Sequence, residues 1–361
     1  MNPSEPRKRF LSGVQPSGKL HIGNYFGAIK QHIDYQDRAE GFYFIADYHA
    51  LTTLQEAEER EQAAAAKNRA ITPRSAHQIL ADNVRDVALD YLALGLDPAK
   101  ATFYRQSDVP EVTELAWILS TVTGMGLLER AVSYKDKIDK GITPTVGLFT
   151  YPVLMASDIL IVRSHLVPVG RDQVQHLEMT RDMAGYFNQA YDKVFPEPDV
   201  LLGEAAVVPG TDGQKMSKSY GNTIEIFAEG KALKNAVMGI VTDKTPVEAP
   251  KDPDTNTVFL LYKLFATPQE VAKMADLFRN PMLDADSRGG RPFGYGDAKT
   301  MLLCKIDAYF APFRERRRQL AADPQYVEGV LAAGARRARQ ETQATMALVR
   351  RAVGMSDRPA V

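Results

Sequence analysis

The sequence predicts an α/β protein, a Rossmann-like parallel-sheet domain followed by an all-helical one. Three observations point there. A strand, a Gly-containing turn, a helix and a second strand follow one another over residues 10–46, which is a βαβ unit. Short apolar, strand-like runs then recur as far as residue 208. Beyond Ile226 the apolar spacing becomes helical, interrupted by loops at 242–255 and 280–296. The expected divisions are 1–225, 226–329, and a C-terminal helix in 330–361 that packs back on the first domain.

Residues 10–14 read as a strand closed by Gln15-Pro16-Ser17-Gly18, a turn signal. After His21-Ile22-Gly23-Asn24, Tyr25, Phe26, Ile29 and Ile33 fall at helical spacing. Residues 41–46 are continuously apolar, as in a buried strand, and end at Asp47. Residues 53–72, rich in Ala and Glu, suggest an exposed helix. A helix over 76–94 ends at Gly95-Leu96-Asp97-Pro98, and 101–105 is the next strand. Residues 111–122 read as a helix carrying Trp117, the only Trp, expected in the core or at a subunit interface. The basic segment 126–140 holds Arg130, Lys135, Lys137 and Lys140. Apolar runs at 149–155 and 159–162 bracket Ser157-Asp158. Residues 166–169 form a strand leading into Gly170-Arg171-Asp172-Gln173, where Asp172 opens a helix bearing His176 and Thr180. The last strand is expected at 201–208, and the Gly-rich stretch 209–213 holds 215–219 as a loop. Helices are expected at 231–241, 256–264, 268–278 and 297–311, with two more between 325 and 353.

At 361 residues the chain exceeds one ordinary core, so two domains are expected. With 45% hydrophobic and 25% charged residues it is neither disordered nor fibrous in composition. No apolar run reaches the roughly 18 residues of a bilayer span, and residues 1–9 show no secretory signal core. The single Cys304 excludes an internal disulfide and a cysteine-based metal cluster, and fits a reducing, cytoplasmic compartment. Net charge is −1, but residues 312–361 hold ten Arg against five acidic residues. Arg314, Arg316, Arg317 and Arg318 cluster, as do Arg336, Arg337 and Arg339. A solvated helix face and a phosphate-binding surface both fit.

Open parallel sheets bind ligands at the carboxyl ends of their strands. Those ends here carry Gln15-Pro16-Ser17-Gly18 and Asp47-Tyr48-His49. A helix start offers partial positive charge and unpaired N–H groups, and small residues ahead of it let a phosphate chain come close. His21 adds a neutral or cationic donor, and Asn24 an amide that cannot change charge. Alone, the turn fits an ordinary strand–turn–helix junction as well as a nucleoside triphosphate site. Lys215-Met216-Ser217-Lys218-Ser219 puts two lysines three apart, with hydroxyls between and after them. Such a loop can follow the charge that develops as an α-phosphate is attacked and pyrophosphate departs, and can close over bound substrates. A solvated charged loop is the plainer reading of the pentapeptide by itself.

Together the two stretches resemble the HIGH and KMSKS signatures of class I aminoacyl-tRNA synthetases. Ser12-Gly13-Val14-Gln15-Pro16-Ser17-Gly18 running into His21-Ile22-Gly23-Asn24-Tyr25, with Asn where most relatives have a second His, is similar to the tryptophanyl-tRNA synthetases. So are Thr150-Tyr151-Pro152-Val153-Leu154-Met155-Ala156-Ser157-Asp158-Ile159-Leu160 and Val167-Pro168-Val169-Gly170-Arg171-Asp172-Gln173. Gly294-Tyr295-Gly296 ahead of a helix is a further mark, and the resemblance covers nearly the whole chain.

The resemblance implies an enzyme that activates L-tryptophan with ATP and transfers it to tRNA(Trp). It implies catalytic roles for His21, Asn24, Lys215, Lys218 and Lys135. ATP would be surrounded by Gln15, Pro16, Ser17, Gly23, Asn24, Gly170, Arg171 and Asp172, and by Lys215, Met216, Ser217, Lys218 and Ser219. Asp158 would accept the indole N–H, a donor with no acceptor, and Met155, Val167 and Val169 would wall the pocket. Tyr151, His49 and Gln173 would meet the amino acid's polar end. From the residues alone, Asp158 also reads as a helix N-cap ahead of Ile159, His49 as a core histidine, Asp172 as a plain cap and Lys135 as a surface lysine. Mg²⁺ would accompany ATP, held by phosphates and water rather than by a protein ligand set. The family is homodimeric and works without a membrane, and the helical half would read the anticodon.

The chain departs from the family pattern in places. Residues 55–75 are longer than in compact bacterial members. Tyr48 stands where some relatives carry Gln, and Tyr220-Gly221-Asn222 replaces an Asp-rich continuation. No cysteine set exists for the iron–sulfur cluster of some relatives. Three other readings stand beside the first: a tyrosine-specific synthetase, a pantothenate-synthetase-like adenylating ligase, and a non-catalytic RNA-binding paralogue. The long helical half speaks against the second, and intact His21, Lys215 and Lys218 against the third.

Overall fold

The computed structural model describes residues 7–68, 72–131, 145–170, 173–202 and 208–355. Five strands, β1 (Arg9–Val14), β2 (Glu40–Ile45), β3 (Ala101–Arg105), β4 (Leu166–Val169) and β5 (Asp199–Leu202), form one parallel sheet in the order β3-β2-β1-β4-β5. Strand order reverses between β1 and β4, which opens a crevice at their carboxyl ends. β2 is buried from Gly41 to Ile45, as a strand covered on both faces must be, and its sequence accordingly shows no polar alternation. Gly13 pairs with Phe44 in register, and a Cβ at Gly13 would lie 2.4 Å from the Phe44 ring. Only glycine lets that ring lie over the end of β1.

The helices that carry the argument are α1 (22–34, with a π-helical turn at Tyr25–Ile29), α2 (Leu54–Lys67), α3 (Ala76–Ala93), α4 (Glu111–Ser120), α5 (Val146–Ile161) and α6 (Val174–Ala190). Further helices are α7 (Gly230–Met238), α8 (Thr257–Tyr262), α9 (Pro268–Arg279), α10 (Tyr295–Ala322) and α11 (Pro324–Ala352). By contacts the chain divides into two units. One comprises Met1–Gly18, His32–Gly203 and Leu320–Val361; the other comprises Lys19–Gln31 and Glu204–Gln319.

In the first unit α5 packs against both α4 and α6, and Leu115, Leu119, Val153, Leu160, Leu177 and Phe187 are buried together. Each such side chain stabilises the fold by about 1.5–3 kcal/mol. α11 lies on β3 so closely that a Cβ at Gly334 would sit 1.8 Å from the Phe103 carbonyl oxygen. Where two helices were expected between 325 and 353, one runs without a break. No proline interrupts this stretch, and Gly334 serves a close approach rather than a helix end. Trp117 is 71% exposed on α4, so the core placement fails. The runs flanking Ser157-Asp158 belong to the single helix α5, which passes through Pro152.

The arginines of the C-terminal region have largely found partners within their own units. Arg339 donates to Glu111 (2.9 Å), Arg350 to Glu114, and Arg337 to the Pro98 and Ala101 carbonyls. Arg314 is 3% exposed and donates to Asp307 (2.7 Å). Arg314 and Arg350 are therefore withdrawn from the solvated face that charge alone allowed, whereas Arg337 and Arg339 stay exposed while holding these partners.

In the second unit the start of α1 is held by aromatic rings. Tyr25 packs on Tyr309 and Phe310, and Phe26 on Phe265, with ring centroids 5.1–6.0 Å apart. The Tyr25 and Tyr309 hydroxyls are 3.0 Å apart. Lys251 ties its loop together by donating to the carbonyls of Pro246, Val247 and Ala249 at 2.9–3.1 Å. Among the described residues no helix is long and apolar enough to cross a membrane.

Candidate functional site

At the carboxyl ends of β1 and β4 the first unit holds a cavity of about 470 Å³, lined partly by Leu11 and Phe44. That is the size of a small-molecule pocket. β1 and its following turn supply Gly13 and Gln15, and the helical turn Asp47–Ala50 supplies His49. α5 supplies Tyr151, Met155 and Asp158, spaced to share one helix face. β4 and the turn after it supply Val167, Val169, Gly170 and Gln173.

Asp158 lies in the last turn of α5, so it is no N-cap. A carboxylate there faces the negative end of the helix dipole, and the side chain is 5% exposed. Burial pushes its carboxyl above the usual range, while the His49 and Gln106 donors pull it back. His49 Nε2 meets Oδ2 at 2.9 Å, and Gln106 Nε2 donates to Oδ1 and Oδ2 at 2.8 and 2.9 Å. Gln106 is itself fixed, because its Oε1 accepts from the Tyr48 amide at 3.1 Å. Asp47 accepts from the Tyr48 and Ser107 amides and holds the same corner. A carboxylate has about four acceptor directions, so these contacts leave one for a further donor from the cavity.

A second polar relay runs from α5 to α6. His176 Nδ1 meets Gln173 Oε1 at 2.9 Å, and its Nε2 meets the Tyr151 hydroxyl. Gln173 Oε1 can only accept, so Nδ1 carries the ring proton and Nε2 receives the Tyr151 O–H. Gln15 Nε2 donates to Thr53 Oγ1 at 3.3 Å, which steadies the rim.

The other unit contains the His21–Asn24 helix start and residues 215–219, while the Gln15–Gly18 turn belongs to the first. His21 caps α1: its Nδ1 accepts from the Asn24 amide at 3.3 Å, and Asn24 Oδ1 accepts from the His21 amide at 3.1 Å. Burial, and secondarily the Lys218 charge, lower the His21 pKa to about 4. The ring is therefore neutral near pH 7 with its proton on Nε2, the only remaining ring position. Gly23 donates to Met216 Sδ at 3.3 Å, and a Cβ at Gly23 would press on the His21 ring and Met216 at 3.0–3.2 Å. This contact fixes residues 215–219 beside the helix start. Asn222, 2% exposed, shapes that loop: its Oδ1 accepts from Ser217 N (2.8 Å) and its Nδ2 donates to Lys215 O (3.1 Å) and Asp212 (2.7 Å). Gly221 turns the chain in the left-handed region at φ 65°, and Lys218–Tyr220 forms a single 3₁₀ turn inside the expected loop.

Of the residues expected at a site, Gln15, His49, Tyr151, Met155, Asp158, Val167, Val169, Gly170 and Gln173 line the cavity. His21, Gly23, Asn24 and Lys215, Met216, Ser217, Lys218 and Ser219 belong to the other unit. Pro16 is buried and Ser17 exposed in the turn after β1. Lys135, Arg171 and Asp172 lie outside the described residues. Gln106, His176 and Asn222 were not among the expected site residues. Gln106 follows the carboxyl end of β3, where ligands gather, and that position was its available signal. Among the described residues no three His, Cys, Asp or Glu side chains form a group that could hold a metal ion.

A family model described as class I tRNA synthetases (W and Y) matches residues 3–302. The tryptophan–tRNA ligase of Fusobacterium nucleatum is 53% identical over 335 residues, which cover 92% of this chain and 93% of that protein. That of Rhodopirellula baltica is 50% identical over 348 residues, covering 96% and 99%. The crystal structure of tryptophanyl-tRNA synthetase from Campylobacter jejuni complexed with ADP and tryptophan superimposes with a TM-score of 0.84 at 44% identity, covering 96% of this chain and 100% of that one.

Proposed function

The chain belongs to the class I tRNA synthetases of the tryptophan and tyrosine group, and on that premise we propose that it activates L-tryptophan with ATP and charges tRNA(Trp). The observation that carries a requirement for a donor on the amino acid is the buried Asp158 carboxylate, held by Gln106 and His49 with an acceptor direction left over. The phenol of tyrosine is a donor too, so the preference for tryptophan rests on the relatives. The indole N–H of tryptophan completes it. An analogue without that donor leaves a buried acceptor unpaired, and sites built this way reject by roughly 10⁴–10⁵. The relatives described above, 44–53% identical, are tryptophan enzymes, so the tyrosine-specific and pantothenate-type alternatives are not favoured.

In the proposed reaction a tryptophan carboxylate oxygen attacks the α-phosphorus of ATP, and the bond to the departing pyrophosphate breaks. A terminal ribose hydroxyl of the tRNA then attacks the carbonyl carbon, and AMP leaves. No covalent intermediate with the protein forms; positioning and charge stabilisation supply the catalysis. We assign Met155, Val167 and Val169 to the indole walls, Tyr151 and Gln173 to the polar end of tryptophan, and His49 to holding Asp158. Gln15, Pro16, Ser17, Gly170, Arg171 and Asp172 are assigned to ATP. So are the neutral Nε2–H of His21, Gly23, Asn24 and residues Lys215, Met216, Ser217, Lys218 and Ser219, with Lys135 a further phosphate contact. An accompanying Mg²⁺ would be held by phosphate oxygens and water, with no residue of this chain assigned to it.

Residues 226–329 are assigned to the anticodon. A homodimer is proposed on the exposure of Trp117, Met125 and Val146 (71%, 63% and 79%), which mass measurement in solution tests. A cytoplasmic site of action follows from the ATP and tRNA it would use. Pyrophosphate exchange with each of the twenty amino acids tests the central reading: exchange with tryptophan alone is expected, and exchange with tyrosine at comparable kcat/KM would overturn it.

A further inference from the structure

Two arginines of α11, Arg336 and Arg351, are exposed without a hydrogen bond or ion pair among the described residues, and Arg336 lines a groove. Arg337, Arg339 and Arg350 are committed to carbonyls or carboxylates of their own unit. Arg336, exposed just ahead of them, makes no hydrogen bond or ion pair among the described residues. It stands on the rim of a surface groove of about 670 Å³ between α11 and the Pro98-Ala99 turn ahead of β3.

The groove follows one stripe of α11: Tyr326, Gly329, Ala333, Arg336 and Gln340, with Arg337 in its wall. At 1.5 Å per residue the stripe runs about 21 Å. Gly329 and Ala333 keep its floor low. Tyr326, 48% exposed, offers an aromatic face at one end, and Arg336 and Gln340 a cation and an amide at the other. No carboxylate lines it. A low apolar floor beside an open ring takes a flat base, and an unpaired guanidinium takes a phosphate. A protein partner would find a narrow stripe with uncompensated positive charge, whereas a polynucleotide matches both features.

We propose that this groove is a contact for the tRNA backbone, with one unstacked or edge-exposed base seated against Tyr326 and a phosphate on Arg336. It rests on the functional reading above and adds to it a contact remote from the reacting carbons. Pro98 and Ala99 precede β3, whereas the cavity lies at the carboxyl end of the sheet. The groove therefore affects tRNA affinity and not adenylate formation.

The test pairs two assays on full-length Arg336→Glu, Tyr326→Ala and Tyr326→Phe. Tryptophan-dependent pyrophosphate exchange, which needs no tRNA, is expected unchanged in all three. In aminoacylation the KM for tRNA is expected to rise about fivefold to tenfold in Arg336→Glu and about fivefold in Tyr326→Ala, with Tyr326→Phe near the parent. The slope of log KM against log salt is expected to fall by about 0.7–0.9 for one lost phosphate contact in Arg336→Glu. Unchanged KM and slope would overturn the proposal. So would a changed oligomeric mass with unchanged KM, which would make the groove a face between copies, or an exchange defect matching the KM defect. Failure of the parent protein to exchange with tryptophan would instead sink the functional reading itself.

Discussion

The amino-acid cavity and the phosphate motifs solve opposite electrostatic problems. The cavity keeps a carboxylate away from water. Asp158 is 5% exposed, and its cost is offset by donors on residues that are themselves fixed, Gln106 by Tyr48 and the Asp47 corner by Ser107. On the proposed function the other region presents positive charge to a triphosphate through Lys215 and Lys218, on a short loop shaped from behind by Asn222 and Met216. In the proposed reaction one region would use a rigid, buried polar network to choose. The other would use a neutral helix cap and a cationic loop to stabilise charge that appears only during reaction. Selection and acceleration should therefore fail separately.

The largest expected effect falls on the loop. Lys218→Ala should slow tryptophan-dependent adenylate formation by about 10²–10³, the range for loss of one preorganised charge-stabilising donor, while tryptophan affinity by equilibrium binding stays within a factor of two or so. A matching loss of affinity would erase the division between the regions. Next comes the cavity. Asp158→Asn keeps the shape but places an amide against the Gln106 amide; an unsatisfied buried group costs about 1–3 kcal/mol. The KM for tryptophan should rise roughly tenfold to a hundredfold by the same reckoning, with the KM for ATP spared. An equal rise in both would make Asp158 a structural residue.

A smaller effect sharpens the comparison from behind the loop. Asn222→Ala removes three hydrogen bonds that shape residues 212–217 without touching either lysine. Adenylate formation should fall about tenfold, since net hydrogen bonds contribute about 0.5–1.5 kcal/mol each and only part of the lost order reaches the transition state. Stopped-flow measurement of adenylate formation would read it; a rate equal to the parent's would show that the lysines need no backing.

How far the sequence foretold this depends on the range of the interaction. β3 was legible to its ends, because β-branched Thr102 and aromatic Phe103 and Tyr104 follow a Gly-Leu-Asp-Pro turn, which is a local signal. The turn, the helix start and the lysine loop were legible because each is a contiguous string. The partners of Asp158 were not, because Gln106 and His49 lie 52 and 109 residues away in the chain. The arginines of α11 misled for the same reason: local charge density does not say that Arg339 meets Glu111, 228 residues earlier. Trp117 was expected in the core or at a subunit interface, and only the packing of α4 shows that its face is turned outward, which removes the first of the two.

The smallest expected effect is an absence, and it concerns the protonation of the helix cap. An exposed histidine would gain its proton near 6.5 and place a full positive charge beside Lys218. Burial first, and Lys218 second, lower His21 to about 4. Folded His21, half-protonated only at about 4, is therefore neutral through the neutral range, while the unfolded chain takes up that proton as pH falls through 6.5. Stability from this group is complete above 6.5 and is lost as pH falls from there toward 4; His32, half-buried and likewise lowered to about 4 by desolvation, adds to the same loss. Two measurements follow. The unfolding midpoint in denaturant should decline as pH drops from 6.5 to 4.5, less so in a His32→Gln variant. Over pH 5.5–8, kcat/KM for ATP, which reports the free enzyme, should show no limb near 6.5. A limb there that disappears in His21→Asn would mean that the cap works as a cation. The phosphate region would then differ from the cavity only in location, not in keeping its fixed part neutral and its charge on the loop.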